Sequence, residues 1–179
     1  SNISDLSFES VQQFVSKQNI SATIISSVRD VDSQISSISD HYDALILSDK
    51  HLLPIKNNYK TNETLGKDRL AAVVGASFLY PERDIIVFDI GTCLTIDIIN
   101  KKGEYIGGRI SPGILMRYKA LHTFTDKLPL VKQEKSTFMI GNDTTTSISS
   151  GVQQGILAEI KLAVSEYRLH KNDAVAVVT

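Results

Sequence analysis

Ile85-Ile86-Val87-Phe88-Asp89-Ile90-Gly91-Thr92-Cys93-Leu94-Thr95-Ile96-Asp97-Ile98-Ile99 is the stretch on which the fold turns. Residues 85–88 are apolar without interruption, which is the pattern of a buried strand, and residues 94–99 repeat it. The glycine-bearing segment between them reads as a tight turn. Asn100-Lys101-Lys102-Gly103 reads as a second turn leading into Tyr105-Ile106, so the region predicts a three-stranded antiparallel meander.

Downstream, Pro112 suits the first turn of a helix, because it lacks an N–H and presets φ. That helix is expected to run to about residue 124, followed by a long helix over 145–167 and a strand over 174–178. Upstream, Phe8, Val11 and Phe14-Val15 recur at helical spacing over residues 8–18, with Ser4 or Ser7 as N-cap. Residues 22–25 and 44–47 read as buried strands on either side of a polar helix over 32–38, which implies parallel pairing. Residues 51–64, with Pro54 and Asn57-Asn58, read as a loop, and 65–79 as a helix. The simplest architecture is α/β: two mixed halves, residues 1–82 and 83–179, with a cleft between them.

The chain has 179 residues, 42% hydrophobic and 22% charged, the composition of a soluble globular protein able to bury one substantial core or two small ones. It holds no apolar run long enough for a bilayer and opens without a secretory signal. Its one cysteine, Cys93, excludes an internal disulfide and suits a reducing, cytoplasmic setting. A net charge of −1, with no basic stripe, argues against nucleic acid as a partner. His41, His51, His122 and His170 lack metal-ligand spacing. The sequence has neither a Gly-x-x-x-x-Gly-Lys-Ser/Thr loop nor a Gly-x-Ser-x-Gly elbow. It does not start with methionine and stops in an apolar run, and both ends read as cuts through a longer protein.

Four constellations could carry chemistry. In Asp89-Ile90-Gly91-Thr92-Cys93-Leu94-Thr95 a strand delivers a carboxylate to a turn whose N–H and hydroxyl groups can meet phosphate oxygens while the carboxylate faces a cation. The same pattern also suits a hairpin whose glycine takes a positive φ. In Thr64-Leu65-Gly66-Lys67-Asp68-Arg69, Asp68 could accept an alcohol proton and Arg69 could grip a carboxylate, although Asp is also favoured at any helix start. Gly107-Gly108-Arg109-Ile110-Ser111-Pro112-Gly113 allows close backbone approach to a ligand, or a bulge and a helix start. Gly141-Asn142-Asp143-Thr144 precedes the long helix and suits plain N-capping.

Taken in order, and together with Tyr59, Leu128-Pro129 and Gly151, these motifs resemble type III pantothenate kinase, of the acetate and sugar kinase/Hsp70/actin superfamily. The resemblance implies ribonuclease H-like mixed-sheet halves of the actin-like ATPase kind, with the first strands missing from this chain. It implies ATP-dependent phosphorylation of pantothenate, the first step of coenzyme A synthesis, with magnesium carried by the nucleotide. Asp68 falls on the family's general base. Gly66, Lys67, Asp68, Arg69, Tyr59 and Thr144 fall on substrate contacts, Thr92 on an ATP contact, and Asp89 on the ligand for potassium or ammonium. It also implies a homodimer. Asn62 stands where many relatives have proline, and Cys93 where many have alanine. The family's N-terminal Asp-x-Gly-Asn-Thr hairpin and a Gly-Gly segment expected after Thr179 are absent, so the sequence as given is expected to bind ATP poorly and turn over little. Some relatives were first described as transcriptional accessory factors, which leaves a non-catalytic regulator, or a kinase of another small hydroxylated substrate, as alternatives.

Overall fold

The computed structural model describes residues 7–16, 18–27, 32–48, 50–134 and 139–179. Near the start of the chain, polar side chains decide where helices begin. Ser7 caps α1 (Phe8–Val15) through a reciprocal capping box with Ser10, while Ser4 lies outside the described residues. Asp32 accepts the N–H of Ile35 to open α2 (Ser33–Tyr42), which ends at Asp43 in the left-handed region, φ 46°. Ile35 and Ile38, three residues apart, are its buried positions. β1 (Ile24–Ile25) and β2 (Leu45–Ile46) pair in parallel through this helix, as the alternation predicts. Each strand is only two residues long, shorter than the apolar runs suggest.

The segment 51–64, expected to be a loop, holds two short elements. β3 (Lys56–Asn57) is a strand, and Asn62–Thr64 is one turn of 3₁₀ helix. α3 (Lys67–Leu79) starts two residues later than expected, with Asp68 in its first turn.

The meander forms. β4 (Ile85–Ile90) and β5 (Cys93–Ile99) are antiparallel, as are β5 and β6 (Glu104–Pro112). Gly103 at φ 71° donates to the Asn100 carbonyl at 2.9 Å and closes the second turn. Between Ile98 and Ile99 the register slips, leaving Ile106 unopposed beside Gly107 at φ 130°, so the paired glycines do serve a bulge. Pro112 is not in a helical first turn. It is the last residue of β6, paired with Cys93, and Gly113 caps α4 (Ile114–Thr123). A proline at a strand end needs no ladder N–H, which is why the position accepts it. α5 (Thr144–His170) is longer than predicted at both ends, and β7 (Val175–Val178) then joins β4 in parallel. The result is a five-stranded mixed sheet in the order β3-β6-β5-β4-β7.

Strand alternation gives this sheet two faces. On one face Ile86, Phe88, Leu94 and Ile96 pack against Ile156 and Ala163 of α5. On the reverse face Ile85, Val87 and Ile99 are buried together with Asp97 and Tyr105. The chain divides into two compact units, Ser1–Leu53 with Thr61–Ala71, and Pro54–Lys60 with Ala72–Thr179. No helix among the described residues is long and apolar enough to cross a membrane.

Candidate active site

In the larger unit the β4–β5 turn is the centre of interest. Asp89 ends the apolar run of β4 and lies directly across from Thr95 on the reverse face of the sheet. Gly91 and Thr92 make the turn, and the Gly91 N–H donates to the Cys93 carbonyl at 3.0 Å. Gly91 does not take a positive φ, so that reason for its presence falls. What the turn does require is the glycine opposite. Gly113 donates its N–H to the Thr92 carbonyl at 3.0 Å, and a Cβ on Gly113 would overlap the carbonyl oxygens of Gly91 and Thr92. The turn is therefore pressed onto the start of α4, with the Thr92 side chain left exposed.

Tyr59 stands over the reverse face. Its ring stacks on Tyr105 with centroids 6.0 Å apart, and its N–H donates to Asn57 Oδ1 at 2.9 Å. Tyr105 is fully buried and donates its hydroxyl to Asp97 Oδ1 at 2.7 Å. Asp97 is a residue that sequence reasoning passed over, and the signal was present: an aspartate in the middle of an apolar strand must find partners.

Thr144 lines a cavity of about 950 Å³ between α4 and α5, together with Pro112, Arg117, Leu128, Gly141 and Gly151. Asp143 caps α5 by accepting the Thr146 N–H at 2.9 Å, as the capping pattern implies. Backbone and side-chain hydrogen bonds from Thr146 hold the Asp143 carboxyl below the usual range against a small opposing effect of burial. Gly141 is confined, since a Cβ there would overlap the backbone of Thr146 and Ser147.

The smaller unit holds the other group of predicted residues. The Thr64 hydroxyl reaches the Thr61 carbonyl at 3.0 Å, and the Leu70 N–H donates to the Gly66 carbonyl at 3.2 Å to open α3. Asp68 is exposed and its Oδ1 accepts the Arg69 N–H at 2.8 Å. A Cβ on Gly66 would overlap that carboxylate, and the Asp68 side chain would have to turn aside to admit it. Arg69 is buried. Lys67 has its ammonium nitrogen shut away from solvent with no hydrogen-bond partner. Such a group carries a large unmet demand for negative charge or oxygen acceptors.

The structure therefore gathers Gly66, Lys67, Asp68 and Arg69 on one helix start, and leaves the other four apart within the sheet-containing unit: Tyr59 and Asp89 on the reverse face, Thr92 in the β4–β5 turn and Thr144 beside the α4–α5 cavity. The family model for type III pantothenate kinase matches residues 2–166. The chain belongs to that family. Type III pantothenate kinases from Christiangramia forsetii and Bacteroides fragilis are 41% and 42% identical over 89% and 88% of the chain. The chain spans 66% and 65% of the lengths of those two relatives. A type III pantothenate kinase from Cytophaga hutchinsonii is 44% identical over 88% of the chain and 67% of its own length. Among solved structures, a conserved Campylobacter jejuni protein assigned to the Baf family of transcriptional activators superimposes with a TM-score of 0.55, at 21% identity, over 93% of this chain and 80% of that one. That likeness supports the fold: mixed α/β around a mixed sheet.

Proposed function

We propose that the protein phosphorylates pantothenate with ATP to give 4'-phosphopantothenate, the first step of coenzyme A biosynthesis, with Asp68 as general base. The observation that carries this reading is the helix start at Gly66–Arg69. Pantothenate presents a carboxylate and a primary hydroxyl, so it needs an anion holder and a proton acceptor. Half-buried Lys67, whose enclosed Nζ has no hydrogen-bond partner, has the first chemistry, and exposed Asp68 beside it has the second. An alcohol is a poor acid, so the base need only take the proton as the new P–O bond forms. Tyr59 and Thr144 are further substrate contacts in this reading.

Thr92 is assigned to the phosphates of ATP, and Asp89 to a potassium or ammonium ion. The donor set fits a hard monovalent cation, since Asp89 and its cross-strand neighbour Thr95 both offer oxygen. Such an ion supplies charge neutralisation, as does the magnesium that travels with ATP, and phosphoryl transfer depends chiefly on that and on positioning. The reading extends to ribonuclease H-like halves, residues 1–82 and 83–179, to a homodimer, and to work in the cytoplasm on small molecules.

The test is direct. The intact protein with ATP, magnesium and pantothenate should release 4'-phosphopantothenate, faster with potassium than without. Asp68→Asn should lower turnover by about 10²–10⁴-fold while pantothenate binding persists. A wild-type protein that binds pantothenate but never phosphorylates it would overturn the assignment in favour of a non-catalytic accessory role.

A further inference from the structure

Behind the Gly91–Thr92 turn lies a polar cluster that none of the assigned roles uses. Arg117, one turn into α4, donates from Nε to the Pro112 carbonyl at 2.7 Å and from Nη2 to Ser111 Oγ at 3.3 Å. The same Nη2 bonds Glu159 Oε2 on α5, and Ser111 donates its hydroxyl to Glu159 Oε1 at 2.6 Å. Both charged side chains are largely buried, at 22% and 27% exposure, so solvent screens this pair less than a surface one. The Arg117 N–H also donates to the Gly113 carbonyl at 3.0 Å. Residues 111, 112 and 113 are thus all tied to one guanidinium or its own backbone, and Gly113 in turn holds the Thr92 carbonyl.

We propose that Arg117 and Glu159 are positioning residues: a clamp that fixes the Ser111–Gly113 corner, and through Gly113 the phosphate-facing turn at Gly91–Thr92. The inference rests on the assignment of Thr92 to ATP. Its physical content is that a turn of two residues has little packing of its own. Its place is set by the surface it leans on, here a backbone corner with no side chain in between. Helix α5 enters the nucleotide site through this clamp, because Glu159 bonds both of the groups that define the corner. Among the described residues, Arg109 on β6 also acts on the Glu159 charge, and Arg109 pairs with Glu166 of α5 at 3.2 Å. Arg109 lies opposite Ile96 in the β5–β6 ladder, and neither residue bonds 111–113 among the described contacts.

Glu159 is the residue to vary, since it lies outside the lining of the Thr144 cavity. In the intact protein Glu159→Ala should raise KM for ATP by about tenfold while KM for pantothenate moves less than about twofold. Glu159→Gln, which keeps an acceptor for Ser111 or Arg117, should recover part of that loss. Amide exchange of the peptide covering residues 89–95 should quicken by about tenfold in Glu159→Ala, with β7 unchanged. Equal rises in both KM values, or faster exchange throughout the sheet, would mean a general loss of packing and would overturn the clamp. Unchanged exchange at 89–95 would overturn it as well. If the wild-type protein made no phosphopantothenate, the kinase reading would fall on that ground, and the exchange comparison would still decide whether the clamp holds the turn.

Discussion

An ammonium enclosed without a hydrogen bond, as at Lys67, costs the resting protein stability, and the proposed function gives it an anion to meet. Lys67→Met keeps the length and apolar stem and removes the charge. It should leave the urea midpoint equal or higher, and weaken pantothenate binding by at least about tenfold, the worth of one charge-assisted hydrogen bond. A drop in stability of more than about 2 kcal/mol would show that the ammonium has a structural partner and would remove it from the site. Gly113 makes the opposite kind of demand. Its Cβ position is filled by main-chain oxygen, which cannot rotate away, so Gly113→Ala should cost about 1–3 kcal/mol in urea denaturation and shift the Thr92 turn. At this scale the sequence was partly readable. Asp89 stood out because an apolar strand ended in it, and Asp68 because it opened a helix. Asp97 carried the same kind of signal in mid-strand. Arg117 and Glu159 sit 42 positions apart and become a pair only once α4 and α5 fold together, so no local pattern could have joined them.

Elements were legible where local chemistry decides them and illegible where pairing does. The two hairpins could be read from apolar runs broken by turn residues, and the α5 start, to within one residue, from the capping segment Gly141-Asn142-Asp143-Thr144. β3 could not: Lys56-Asn57 has no strand signature and is extended because it pairs with Glu104 and Tyr105 of β6. Pro112 misled for a related reason, since the same missing N–H suits a helix start or the last rung of a ladder. The β6–α4–α5 corner also has a pH signature. Burial of Glu159 works against its charge, but the hydrogen bonds from Ser111 and Arg117, with the charges of Arg117 and Arg109, outweigh that and hold its carboxyl below the ordinary 4.5. A carboxyl lowered on folding adds stability above its unfolded value, and that stability disappears as pH falls through the folded value. Wild type should therefore exceed Glu159→Gln in stability at pH 7, and the gap should close on acidification below about pH 4. A gap that stays constant from pH 7 to pH 3 would show that the charge of Glu159 contributes nothing to the fold.

Across the whole molecule, apolar burial is unevenly shared. The sheet-containing unit buries Ile85, Ile86, Val87, Phe88, Leu94, Ile96, Ile99 and Tyr105 nearly completely. In the smaller unit β1 and β2 are two residues each, and α1 has no buried residue among those described. At roughly 1.5–3 kcal/mol for each large apolar side chain fully buried, the meander holds far more of the driving force than the β1–α2–β2 segment. This is also why the first half was the harder to read: its apolar runs are real, but their pairing satisfies only part of them. Local opening follows burial, so amides of α1, β1 and β2 should exchange at low free energies while those of β4 and β5 exchange only with global unfolding. The segment Gly66–Arg69, proposed to hold pantothenate, belongs to the smaller unit, and a ligand that binds only the folded form of that segment must slow its opening. Pantothenate at a hundred times its Kd should therefore lower exchange in residues 64–71 by up to about 100-fold and leave the centre of β5 unchanged. Slowing confined to the sheet, with none at the α3 start, would place the substrate elsewhere and take Asp68 out of the chemistry.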